Sequence, residues 1–196
     1  MAIPSAMTEL EAVNILLTTI GEAPVNTLTG NQVTDVTIAN QVINEVSREV
    51  QSMGWHFNTE YNVPLTPDIS NQIPSPANVA RIDSKDYDIV IRENKLFNLL
   101  DRTYTFNSKI LADIVYFQDF LVLPEIAKKY ITARAARIYA DRMINSSTIN
   151  QMTSRDEEKA LMDLKAYEGD TADYNMMDNY SVARVLNRGF NQRILM

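Results

Sequence analysis

Few residues in this sequence could carry chemistry. Its 196 residues contain no cysteine, one histidine and five glycines. That removes thiolate nucleophiles, cysteine-ligated zinc and disulfides together, and leaves little for a histidine metal site or a glycine-rich phosphate cradle. The histidine, His56, stands in Gly54-Trp55-His56-Phe57-Asn58. Serine-type catalysis needs a base within reach of an exposed nucleophile, and no Gly-x-Ser-x-Gly elbow occurs for His56 to serve. Between two aromatic neighbours it reads as a packed or edge residue.

Carboxylates are plentiful instead. Twenty-five Asp and Glu create neighbouring pairs by chance, so spacing alone neither makes nor dismisses a two-carboxylate glycosidase site. Asp86 and Asp88 fall at the entry of an expected strand. Asp156, Glu157 and Glu158 fall in the first turn of an expected helix, where the dipole favours acids. Both groups read as structural. Lys128, Lys129, Arg134, Arg137 and Arg142 form the most basic stretch. Solvated helix faces and ion pairs between subunits use such residues, and that reading is preferred to phosphate contact. The expectation is therefore no catalytic, cofactor-binding or metal-ligating residue.

Charge points the same way. Eighteen Lys and Arg against 25 Asp and Glu leave −7, with a pI near 4.7, the wrong sign for gripping nucleic-acid phosphates over a broad face. Met1 to Met7 contain no basic residue, and no window reaches the ~18 apolar residues of a membrane span. Neither a secretory signal nor a membrane partner is expected, and the composition reads as soluble and intracellular.

The elements that would position these groups are legible in outline. Thr8-Glu9-Leu10-Glu11 is a capping-box signature. The helix it opens carries Leu10, Val13, Leu17 and Ile20 on one stripe and stops at Gly21 and Pro24. Asp35 can cap a second helix with Ala39, Val42, Val46, Val50 and Met53 on one face, closed by Gly54. Pro64, Pro67, Pro74 and Pro76 between Val63 and Ala77 argue for an extended loop. Short β-type runs follow at 79–82, 88–92, 95–99, 104–106 and 113–117, with Glu93-Asn94 as a hairpin turn, and predict a small antiparallel meander. Pro124 and Glu125 start a third helix, with Ala127, Ile131, Ala135 and Ile138 on one face. After a polar break at 145–150, Ser154-Arg155-Asp156-Glu157 reads as a second capping box, opening a helix with Ala160, Leu161, Leu164 and Tyr167 on one side and Gly169 as its stop.

From Tyr174 the helical period is lost. Met176, Met177, Tyr180, Val182, Val185, Leu186, Phe190, Ile194 and Leu195 are interleaved with Arg184, Arg188 and Arg193. Three arginines against Asp178 make this segment +2 and leave −9 on the rest. A solubilising disordered tail is poor in apolar residues. Aromatic, Met and Arg enrichment is instead the composition of interface cores; the alternative is a strand or arm packed on its own domain. The fold expected is mainly α, of α+β class: a four-helix bundle over residues 1–173 with a small antiparallel β insert at about 57–120, and an extended C-terminal docking segment over 174–196.

Several segments, in order, resemble a known family. Leu10-Glu11-Ala12-Val13-Asn14 and Ile20-Gly21-Glu22-Ala23-Pro24-Val25-Asn26-Thr27-Leu28 are similar to the opening of tail tubular protein A, the head-to-tail adaptor, or gatekeeper, of autographivirus-type short-tailed bacteriophages. Arg48-Glu49-Val50-Gln51-Ser52, Gly54-Trp55-His56-Phe57-Asn58, Asp101-Arg102-Thr103, Leu123-Pro124-Glu125 and Tyr174-Asn175-Met176-Met177-Asp178 match later landmarks in the same order. The likeness covers nearly the whole chain and departs in the proline-rich loop and the last residues. It implies a structural virion protein, assembled in the host cytoplasm as a twelvefold ring between the portal and the tail nozzle protein, tail tubular protein B. Double-stranded DNA would be ejected through the enclosed channel without specific binding. On that reading Tyr180, Leu186, Phe190 and Ile194 anchor in pockets of the portal or a neighbouring subunit, and Arg184, Arg188 and Arg193 meet acids there. The alternative is a virion-associated polysaccharide or peptidoglycan hydrolase, for which the sequence offers no motif.

Overall fold

A computed structural model describes residues 5–28 and 34–171. Its fold is mixed α+β: four α-helices and two small antiparallel sheets among the described residues. Helix α1 spans Glu9–Thr19. Its capping box forms as the spacing predicts: Glu11 N–H donates to Thr8 Oγ1 at 3.2 Å and Thr8 N–H to Glu11 Oε2 at 2.8 Å, an arrangement worth about 1 kcal/mol. Gly21 closes the helix at φ 87°. Gly21 N–H reaches the Thr18 carbonyl and Glu22 N–H that of Leu17, the two bonds of a Schellman cap. The buried face is Ala12, Val13, Leu16 and Leu17, while Leu10 and Ile20 are only half-buried. The stripe is displaced because α1 packs on two neighbours at once, α2 and α3.

Helix α2, Thr34–Ser52, buries Val36, Ala39, Val42, Ile43, Val46 and Val50. Asp35 lies inside its first turn rather than at a cap position. Met53, expected on the buried face, is 51% exposed. The helix has ended before it, and Gly54 at φ 78° turns the chain sharply away. The positive φ favours glycine here, and a Cβ would in addition sit 3.1 Å from Cγ2 of Val115 and push aside the end of the Arg81 side chain.

A 3-10 turn at His56–Asn58 leads into the strands β1 Thr59–Leu65, β2 Val79–Asp83, β3 Ile89–Arg92, β4 Lys95–Asn98 and β5 Ile110–Tyr116. The meander is corrected. The last strand, β5, runs between β1 and β2, and β3 and β4 form a separate hairpin. Ile110, Ala112, Ile114 and Val115 are all buried, and a strand so apolar is most stable in the centre of the sheet, where both of its edges are paired. Pro64 lies in β1, so the loop expected from Val63 starts only after Leu65. An edge strand tolerates the missing donor. The run 104–106 makes no strand; Thr105 forms one isolated bridge with Gln72, and Phe106 packs edge-on to Tyr87 at 5.8 Å. The hairpin turn is as read, with Glu93 and Asn94 both at positive φ, 52° and 59°.

Helix α3, Glu125–Met143, packs against α1, α2 and α4. Pro124 stands at its N-cap. Ala127, Ile131 and Ala135 are buried as expected, joined by Tyr130, Ala136, Tyr139 and Ala140, while Ile138 is half-buried. Small residues at these positions let the axes approach closely. Helix α4 spans Ser147–Thr171, so it starts well before the expected cap at Ser154 and runs through Gly169. Glu157, the acid of that supposed capping box, points at two arginines of α3 instead. Asn145, at φ 53°, makes the break, and Asn150 Nδ2 ties the new helix to both oxygens of Asp141 at 2.8 and 2.9 Å. A glycine within a helix costs up to about 1 kcal/mol; burial of Ala160 and Leu164 against the helical core offsets it.

Two apolar clusters result. One unites α1 to α4 with Trp55, Phe120 and Leu123. The other, Ile73, Ile89, Leu96, Phe106, Ile110, Ala112 and Ile114, belongs to the β insert.

Candidate interface residues

The basic stretch of α3 is paired with acids of its own chain, with Lys129 and Arg142 still exposed at its edges. Arg134 Nη2 lies 2.6 Å from Glu49 Oε1 of α2, and its Nη1 lies 2.7 Å from Glu157 Oε1 of α4. Arg137 pairs with the other oxygen of Glu157 and with Asp141 at 3.3 Å. Arg142 grips Glu45 with both nitrogens at 2.9 Å, and Lys129 reaches Asp163 at 3.4 Å. Lys128 is buried, its Nζ donating to the Leu121 carbonyl at 3.0 Å. The expected pairing exists, but it is within one chain and staples α2, α3 and α4 together.

Glu157 is the hub. Burial alone would raise its carboxyl, but hydrogen bonds and charge from Arg137 and Arg134 outweigh that and hold it below the ordinary carboxylate range. A depressed folded-state pKa adds stability that is present above the unfolded value of about 4.3 and is lost as pH falls through the folded one. Glu157→Gln is expected to cost about 2 kcal/mol at pH 7, less than a fully buried pair because the arginines are partly exposed. Melting curves at pH 7 and pH 3 check it: the gap between variant and wild type narrows in acid. A gap that persists or widens at pH 3 refutes the assignment.

The landmark Gly54-Trp55-His56-Phe57-Asn58 is the joint between the helices and the sheet. Asn58, 2% exposed, donates from Nδ2 to the carbonyls of Gln51 and Tyr116 at 2.9 and 2.8 Å and accepts from Trp55 N–H at 2.9 Å. Gln51 closes the circuit by exchanging hydrogen bonds with the Gln118 backbone at 3.1 and 2.7 Å. His56 keeps its imidazole exposed; its backbone N–H donates to Glu168 Oε1 at 2.7 Å. The edge reading of His56 stands. Sequence reasoning missed Gln51, Asn58, Gln118 and Glu168 as a set, because their partners lie as many as 112 positions away.

Asp86, Asp88, Asp156 and Glu158 are exposed. Asp156 to Glu158 lie mid-helix rather than in a first turn. Among the described residues no cluster of His, Asp and Glu has metal-site geometry, and no helix is long and apolar enough to cross a membrane. Tyr180, Arg184, Leu186, Arg188, Phe190, Arg193 and Ile194, expected from the sequence to dock, lie outside the described residues.

The charges of this domain staple its own helices, and the motif at 54–58 joins those helices to the sheet. The tail tubular protein family model matches residues 10–174. The chain belongs to that family and is a structural component of a bacteriophage tail. No curated protein matches it.

Proposed function

We propose that this protein is the head-to-tail adaptor of a short-tailed phage: a twelvefold ring between portal and nozzle, assembled in the host cytoplasm, through which DNA is ejected. The observation that carries this reading is the family match from α1 to the end of α4, together with landmark segments in adaptor order. In this reading residues 1–173 are a four-helix-bundle body with its β insert, and residues 174–196 dock the ring through Tyr180 to Ile194. The acidic composition supports a channel wall that repels passing phosphates.

Mass photometry across concentrations, alone and with portal, tests the ring. A twelvefold species, free or on the portal, is expected; a strict monomer even with portal refutes the adaptor. The proposal also holds that the protein does no chemistry of its own, so turnover on capsular polysaccharide and peptidoglycan is expected to stay at background. Activity that a single Asp or Glu substitution abolishes in a still-folded chain would establish the hydrolase instead.

A further inference from the structure

Three depressions meet around Met7. One of about 490 Å³ lies along α1, lined by Glu11, Asn14, Ile15 and Thr18. A second of about 190 Å³, lined by Ile15, Ala133 and Ala136, has room for one large apolar side chain. A third of about 530 Å³ is lined by Pro124, Ile126 and Tyr167. Met7 lines all three. It is pinned there by its N–H to Glu125 Oε2 at 3.0 Å and by Thr132 Oγ1 against its sulfur at 3.4 Å. The result is one groove between α1 and α3, with Ile15 40% and Tyr167 37% exposed. Its rim is acidic: Glu11, Glu125 and Asp156 line it, and its lysine, Lys129, is paired with Asp163.

We infer that this groove receives the C-terminal segment, residues 174–196, of a neighbouring copy of the chain. The inference rests on the ring reading and names one of its contacts. The segment offers what the groove lacks: apolar side chains at Tyr180, Leu186, Phe190 and Ile194, and arginines at 184, 188 and 193 for an acidic rim. Twenty-five residues follow Thr171, a reach of up to ~80 Å when extended. Helix α4 runs along the groove, from Thr153 beside the second depression to Tyr167 beside the third, with its direction carrying the chain past the groove. To fill its own groove the chain would have to double back on α4. A neighbour in a closed ring receives the segment without reversal, a head-to-tail contact that rotation completes.

The absence of cysteine makes the test clean. Thr18→Cys, at an exposed groove position, is labelled with a benzophenone maleimide, mixed with isotope-labelled wild type and assembled with portal. Photolysis is expected to capture a peptide within 174–196 of the labelled chain. The link should be lost when that chain lacks residues 180–196. Capture of the variant's own C-terminal segment, of any other part of the neighbour or of portal, or no capture, overturns the inference. Mass photometry of the same sample separates the two failures: no ring refutes the adaptor reading, and a ring without the link refutes only this contact.

Discussion

Deleting residues 180–196 is expected to abolish attachment to portal-containing heads while leaving the isolated body within about 0.5 kcal/mol of the full chain. Both halves follow from where apolar surface is spent. The helical cluster already buries Leu16, Leu17, Val46, Tyr130, Ile131, Tyr139 and Leu164 among the described helices, so the isolated body is expected to keep its fold without the segment. The deleted stretch carries Tyr180, Leu186, Phe190 and Ile194 with three arginines, the residue types that concentrate binding energy at interfaces. Ordering such a segment costs roughly 1–2 kcal/mol per residue, so several anchors must bind together and removing them all loses the contact rather than weakening it. Sedimentation of heads with bound adaptor, beside a thermal melt of the free chain, measures both. Equal attachment by the truncated chain would show that these residues do not dock.

The largest loss of stability is expected at Asn58. Asn58→Ala removes the side-chain partner of the Tyr116 carbonyl and of the Trp55 N–H and leaves the Gln51 carbonyl with its Gly54 N–H donor alone. Buried orphans cost about 1–3 kcal/mol each; with partial relaxation the expected total is about 3 kcal/mol, which lowers the melting temperature by about 6–12 °C for a chain of this size. The isosteric Asn58→Asp discriminates the cause. It preserves volume but turns an oxygen toward two carbonyls, so it is expected to be worse than alanine, whereas a loss through packing alone would make it milder. Thermal melts of both variants decide between these, and an alanine variant as stable as wild type would refute the joint.

Local signals were legible in sequence wherever they close within about one helical turn or one hairpin. The Thr8–Glu11 box, the Gly21 cap, the Glu93-Asn94 turn and the alanine face of α3 form as their residue types dictate. The order of family landmarks was legible too, and with it membership in the tail tubular proteins. Ser154 marks where local reading stops. Its box is locally sound, but Glu157 gains more from two guanidiniums than from a backbone N–H, and α4 grows through the supposed start. The same competition decided the place of β5 between β1 and β2, the clamp of Glu168 on His56 and the pairing of Arg134 with Glu49, 85 positions away. A carboxylate or a strand edge carries no mark of which distant partner it will meet. That choice falls to the packing of the whole chain, which brings these groups out of water together and makes an unpaired one costly.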